Sequence, residues 1–298
     1  MPVFLKLIRY KNLLMVLLTM VLTKYALLES YFTNTLLTHF NFIILTTAVL
    51  LITASGYIIN DIFDIETDKI NKPNKSFLNK EFSIKKAWSL YILLSIFGLI
   101  LGIFVSFAME IPLNSIYFIA TSIILFFYSK YFKKIALIGN LIVSFLCALV
   151  IFLVYEFEFI GTNLESNSKI SSDFIIAIYL VFSLTITFIR EIIKDIEDVN
   201  GDLKIKASTL PILIGRKRTA RIAFFISSIM FVFTLIILQS TKNTPFFFWY
   251  VLLFICLPLL YLLYKIWFAR TKKNYGSISK ILKFIMFFGI LSMLLFRF

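Results

Sequence analysis

Long apolar runs recur along this chain of 298 residues, and they decide its solvent before any other feature does. Crossing a bilayer core takes about 20 apolar residues of helix at a rise of 1.5 Å each. Runs of that length fall at about 12–32, 40–60, 87–108, 112–129, 136–156, 173–193, 221–240, 245–267 and 279–297. Continuous stretches such as Leu90–Ile103 lack the two-residue alternation of barrel strands. The expected architecture is therefore an all-α polytopic membrane protein with nine transmembrane helices, a single domain over 1–298. Composition excludes a soluble or disordered chain: 60% of residues are hydrophobic and 15% charged, against roughly 45–50% and 25% in soluble domains. Cys147 and Cys256 lie inside apolar runs and read as small buried groups. The single His39 leaves no basis for a His-based metal site or a Ser-His triad. The first run carries Lys24 and Glu29 and lacks a small-residue cleavage site, so it reads as a retained span rather than a signal peptide.

Loop charges set the expected orientation. With nine spans and a cytoplasmic N-terminus, 26 of the 30 basic residues fall in or beside inner segments, a strong positive-inside asymmetry. The net charge of +14 is then topological. It suits loops facing anionic lipid and gives no reason to expect nucleic acid as a partner.

Acidic residues are distributed more tellingly. Six of the seven Asp lie in two short segments, each at the cytoplasmic end of a span. Asp61-Ile62-x-Asp64-x-x-x-Asp68 repeats as Asp195-Ile196-x-Asp198-x-x-x-Asp202. Offsets of three and seven put each triplet on one helical face. This repeat suggests two pseudo-repeats, about 40–157 and 173–297. Three like charges on one face at a membrane boundary repel unless cations neutralise them. An oxygen-only donor set indicates a hard divalent ion. Mg²⁺ takes one or two carboxylates per ion and fills its other positions with water and substrate phosphate, so six Asp suit metals that hold a diphosphate; Mn²⁺ fits the same donors.

At these residues the chain resembles the UbiA superfamily of intramembrane prenyltransferases. Asn60-Asp61-Ile62-Phe63-Asp64-Ile65-Glu66-Thr67-Asp68 matches the first family motif, N-D-x-x-D-x-x-x-D. Asp198, Asp202, Lys204, Ser208 and Thr209 match the second. Arg9, Asn12, Tyr128-Ser129-Lys130 and Gly139-Asn140 are lesser echoes. Within the superfamily, the segment from Arg190 to Asp202 together with Thr209-Leu210-Pro211-Ile212 is most similar to the digeranylgeranylglyceryl phosphate synthase branch. The chain departs from the family after the first motif. Asn71-Lys72-Pro73-Asn74-Lys75-Ser76-Phe77-Leu78-Asn79-Lys80 keeps one Pro of the usual N-R-P-x-R-P-x-P-S-G and has Lys for both Arg.

The resemblance implies Mg²⁺-dependent transfer of a polyprenyl group, geranylgeranyl in that branch, from its diphosphate to the hydroxyl of a lipid such as geranylgeranylglyceryl phosphate. The alternatives are aromatic prenylation in quinone biosynthesis, of a hydroxybenzoate or naphthoate acceptor, and more remotely divalent-cation transport. Two ions are expected. Asp61, Asp64 and Asp68 are assigned to one, and Asp198 and Asp202 to the other with Asp195 in support; these five, without Asp195, are the catalytic set. Asn60 ligates directly, orients the aspartates or caps the helix break. Lys72, Lys130, Arg190, Lys194 and Lys204 are the candidate diphosphate cations. Arg9, Asn12, Tyr128 and Asn140 are candidates for the substrate pocket. An Arg190–Glu191 ion pair is expected to steady the second segment. The site is expected to face the cytoplasm from an inner or plasma membrane.

Overall fold

The structure is a computed structural model that describes residues 3–30, 36–66, 78, 82–159, 166–204 and 206–297. Asp68 and Lys72 lie outside the described residues. Nine helices among the described residues are long and apolar enough to cross a membrane: α1 (Tyr10–Leu28), α2 (His39–Phe63), α3 (Ile84–Ala108), α4 (Pro112–Lys130), α5 (Ile138–Phe159), α6 (Ser172–Lys204), α7 (Arg216–Ser240), α8 (Pro245–Phe268) and α9 (Lys272–Arg297). The described residues form no strands, only isolated bridges such as Ile135 with Ser208.

Local chemistry explains where the helices begin. Pro112 and Pro245 open α4 and α8, positions where a missing N–H costs nothing and the fixed φ suits the helix. Thr38 and Thr271 cap α2 and α9 by accepting the backbone N–H groups of Asn41 and Asn274, at 3.2 and 3.3 Å. Each hydroxyl satisfies a donor that has no partner within the helix.

Packing rests on small residues and apolar stripes. A Cβ on Gly98 would lie 2.7 Å from Ile52 Cγ1, and one on Gly102 would lie 2.4 Å from the Phe118 ring. These two positions bring α3 close against α2 and α4, as small residues do between membrane helices. Two main cores result. One gathers Leu27, Leu45, Ile52, Phe118, Val154 and Phe157 from the first five helices. The other gathers Ile189, Ile193, Ala223, Leu259, Leu282 and Ile285 from α6 to α9. Large apolar side chains such as Ile92, Ile96, Ile100 and Phe104 on α3 face outward, where lipid takes the place of a protein neighbour.

Three helices differ from the expected spans. α6 runs to Lys204 instead of ending near residue 193, so Asp195, Asp198 and Asp202 stand on a continuing helix rather than after it. Its buried stripe of Ile189, Ile192, Ile193, Ile196 and Val199 carries on past the first charges. α9 likewise starts at Lys272 rather than 279, because Tyr275 and Ile278 already belong to its buried face. α7 begins at Arg216, directly after Gly215 at φ 85°.

Candidate active site

The first carboxylate segment is the last turn of α2. Asp61 accepts a 2.5 Å hydrogen bond from Arg9, whose guanidinium also lies 5.0 Å from the Tyr57 ring centre. Arg9 precedes α1 in the left-handed region, at φ 50°. That conformation costs an L-residue of order 1 kcal/mol, and here it accompanies a side chain turned onto Asp61. Burial works against the Arg9 charge, but Asp61 outweighs it and raises the guanidinium pKa. Asn12 hydrogen-bonds Tyr57 and completes this corner. Asp64 closes α2. It accepts from Asn60 Nδ2 at 2.8 Å and from Lys133 Nζ at 2.7 Å. Burial pushes the Lys133 ammonium below its usual pKa, with Asp64 opposing the shift and Lys134 adding to it.

The second segment is the far end of α6. Asp195 accepts from Asn140 Nδ2 of α5 at 2.9 Å and lies in the electrostatic field of Glu191 and Asp202. Asp195 and Asp202 are seven residues apart, so the expected shared face is real. Glu191 is 7% exposed and is held by Arg190 at 2.6 Å and Lys194 at 3.2 Å. The expected Arg190–Glu191 pair is therefore present, with Lys194 as a second partner.

Elements between the two segments draw them to one end of the bundle. Lys133 and Lys134 belong to the turn between α4 and α5; Lys133 reaches Asp64, and the Lys134 carbonyl accepts from Ser208 N at 2.8 Å, just past α6. Tyr128 of α4 lies in the fields of Asp64, Asp195, Glu191 and Arg9 together. Arg9, Tyr128 and Asn140 thus border the carboxylates, and Asn12 joins them through Tyr57. Two expected cations stand apart: Lys130 is exposed and lies 4.9 Å from the Tyr131 ring centre, and Lys204 is exposed at the end of α6. Lys133 was not among the expected diphosphate cations. The signal was its place in the turn that opens α5, not its type.

The donor set fits a hard divalent ion. Asn60 Oδ1 is buried without a hydrogen-bond partner among the described residues, an oxygen with unused lone pairs between two carboxylates. No three of His, Cys, Asp and Glu among the described residues form a cage of their own. Mg²⁺ needs none, since water and phosphate complete its octahedron.

Comparison with known proteins identifies the family. Residues 13–291 match the UbiA prenyltransferase family. The digeranylgeranylglyceryl phosphate synthase of Sulfurisphaera tokodaii is 38% identical over 201 residues, 67% of this chain and 64% of that protein. The synthase of the same name from Methanococcoides burtonii is 32% identical over 273 residues, 91% of this chain and 90% of the other. Among solved structures, a digeranylgeranylglyceryl phosphate synthase structure superposes with a TM-score of 0.63 at 27% identity, covering 98% of this chain and 96% of that one. A UbiA homologue from Archaeoglobus fulgidus, bound to GPP and Mg²⁺, gives 0.62 at 15% identity over 97% and 99%. With nine apolar helices, two aspartate segments at one end and a family match running through both, this chain belongs to the UbiA prenyltransferase family.

Proposed function

We propose that the chain transfers a geranylgeranyl group from its diphosphate to the free hydroxyl of geranylgeranylglyceryl phosphate, releasing diphosphate and a proton. The observation that carries this reading is the pairing of two oxygen-donor segments, Asn60–Asp64 and Asp195–Asp202, with basic groups on neighbouring elements, at the end of an apolar bundle. A polyprenyl diphosphate needs that combination: lipid-like walls for the tail and a charged mouth for the head. The names of the relatives support the glycerol lipid as acceptor. The charge asymmetry of the loops supports a cytoplasmic N-terminus and a site facing the cytoplasm.

Two Mg²⁺ ions are assigned to the site, one with Asn60, Asp61 and Asp64 and the other with Asp198 and Asp202; Asp68, outside the described residues, is assigned with the first. Such ions stabilise negative charge on the leaving diphosphate. The protein's own groups do the rest. Asn60 and Lys133 hold Asp64, Arg9 holds Asp61 and Asn140 holds Asp195, so the carboxylates are oriented before substrate arrives. As the C1–O bond breaks, positive charge develops on an allylic carbon, which the acceptor oxygen must reach before water does.

The test is transfer by the purified protein in lipid nanodiscs, read by mass spectrometry. Geranylgeranyl diphosphate is offered with geranylgeranylglyceryl phosphate, hydroxybenzoate or naphthoate, with Mg²⁺ or with chelator. Ether formation on the glycerol lipid, lost in chelator, is expected. Transfer to an aromatic ring alone, or full activity in chelator, would overturn the reading.

A further inference from the structure

Deeper along α6 than the aspartates stands a second group of charges, which includes Arg190 and Lys194, two of the cations expected at the donor diphosphate. Glu191 is clamped by Arg190 and Lys194, and a third cation faces them from α9. Helices α6 and α9 run antiparallel: a Cβ on Gly276 would lie 3.2 Å from Glu197 Oε1, and one on Gly289 would lie 2.7 Å from the Phe182 ring. Seven residues on from Gly276 is Lys283, and seven residues back from Glu197 is Arg190. A seven-residue step returns a helix to nearly the same face, so this register sets Lys283 opposite Arg190. Consistent with it, the charges that act on Lys283 are those of Arg190, Lys194, Glu191 and Arg9.

The position of Lys283 is informative in itself. Its side chain is exposed although it stands eleven residues inside α9, about 16 Å along the helix axis. With Arg190, Lys194 and Glu191 acting on it, this lysine suits a polar environment rather than lipid tails. Glu191 offsets one of the three cations and Asp195 lies in the field of Lys194, and the group keeps a net positive charge.

We infer that Arg190, Lys194 and Lys283 form a binding site for the phosphate of the acceptor lipid, separate from the metal-held diphosphate of the donor. This rests on the proposed function, which supplies an acceptor with a phosphomonoester. A phosphomonoester carries about −1.5 to −2 at pH 7, an anion that suits a site of net positive charge. Asp198 lies eight residues beyond Arg190 on α6, about 12 Å along the axis. Lys194 stands only four residues from Asp198, about 6 Å, and borders both anions, while Arg190 and Lys283 lie a further turn away. A donor diphosphate at Asp198 and an acceptor phosphate at Arg190 and Lys283 would set the glycerol carbons between them and bring the acceptor hydroxyl toward the donor carbon. An uncharged acceptor, or one whose anion sits elsewhere, leaves these cations without a ligand.

The test separates the two substrates. In nanodiscs, Lys283→Gln is expected to raise the KM for geranylgeranylglyceryl phosphate about ten-fold, the loss of one charge-assisted contact, while the donor KM moves less than about two-fold. Calorimetry without donor or divalent ion is expected to show the same loss in acceptor affinity, and Lys283→Arg to restore it. The preference of the wild type for the phosphorylated acceptor over geranylgeranylglycerol should shrink by the same factor. Lys280→Gln removes a charge about one turn before Lys283, from a side chain that lines a groove against Leu257 and Tyr261 of α8, and should leave the acceptor KM unchanged. A rise confined to the donor KM, an unmoved acceptor KM in Lys283→Gln, or an equal effect of Lys280→Gln would overturn the inference alone. A wild-type protein that ignores the glycerol lipid would overturn the proposed function and this inference with it.

Discussion

Buried ion pairs occur at both ends of this bundle, and they are built differently. At the end away from the aspartates, Lys24 of α1 donates to Glu158 Oε2 of α5 at 2.8 Å and to the Leu37 carbonyl at 2.7 Å. The two side chains are 0% and 2% exposed, and the Tyr25 and Phe42 rings flank the ammonium. At the aspartate end, Lys133 and Asp64 are 11% and 21% exposed, and Arg9 is 34% exposed beside Asp61. One end is a sealed pair that ties α1 to α5 and to the chain before α2. The other is an open array in which carboxylates are shared among amides and cations. The sealed pair has no room to change partners; the open array is arranged to accept new ones. Desolvation decides the difference, because separating charges is far costlier where no water enters.

Breaking each end should therefore give different phenotypes. The largest effect belongs to the open end: Asp64→Ala or Asp198→Ala should lower prenyl transfer at least ~10³-fold, the scale of losing electrostatic stabilisation of a leaving group. Thermal unfolding of the purified protein should change far less than turnover, because the role proposed for these groups is to hold ligands. A large fall in melting temperature would place the aspartates among the structural residues instead. The sealed end should behave in the opposite way. Glu158→Ala leaves the Lys24 charge buried without its counter-ion, a change that costs about 3–5 kcal/mol, read as a drop in melting temperature and in yield. The double variant Lys24→Met with Glu158→Met should recover most of that loss. Catalysis per folded molecule should survive in the double variant, and a persistent loss of turnover would show that the sealed pair also serves the site.

The contrast also separates what the sequence makes legible from what it hides. Nine spans and two aspartate segments are readable because they are patterns: long apolar runs, and one spacing written twice. The ends of α6 and α9 are not, since a hydropathy run stops where charges begin, while Ile196, Val199 and Tyr275 keep the buried stripe going. Lys133 and Lys283 are invisible for another reason. Each is one of 23 Lys in the chain, and only the turn that opens α5, or the antiparallel register of α6 and α9, distinguishes it. Arg9 and Asn140 were readable only as isolated echoes of a family pattern; their bonds to Asp61 and Asp195 come from helices remote in sequence.

The smallest predicted effect tests whether the open end exchanges partners. Lys133 is bonded to Asp64, a proposed metal ligand, so its ammonium and a divalent ion compete for the same carboxylate. If exchange occurs, Lys133 releases Asp64 when metal binds and turns toward the diphosphate. Lys133→Met should then lower the divalent concentration needed for half-maximal transfer by about three-fold, because a competing charge has gone, while raising the donor KM by about ten-fold through the lost phosphate contact. The two shifts have opposite signs, which a merely structural role does not produce. A Lys133→Met variant that needs more divalent ion, not less, would show that the lysine supports Asp64 as a fixed neighbour, and the aspartate end would then resemble the sealed end more closely than its exposure indicates.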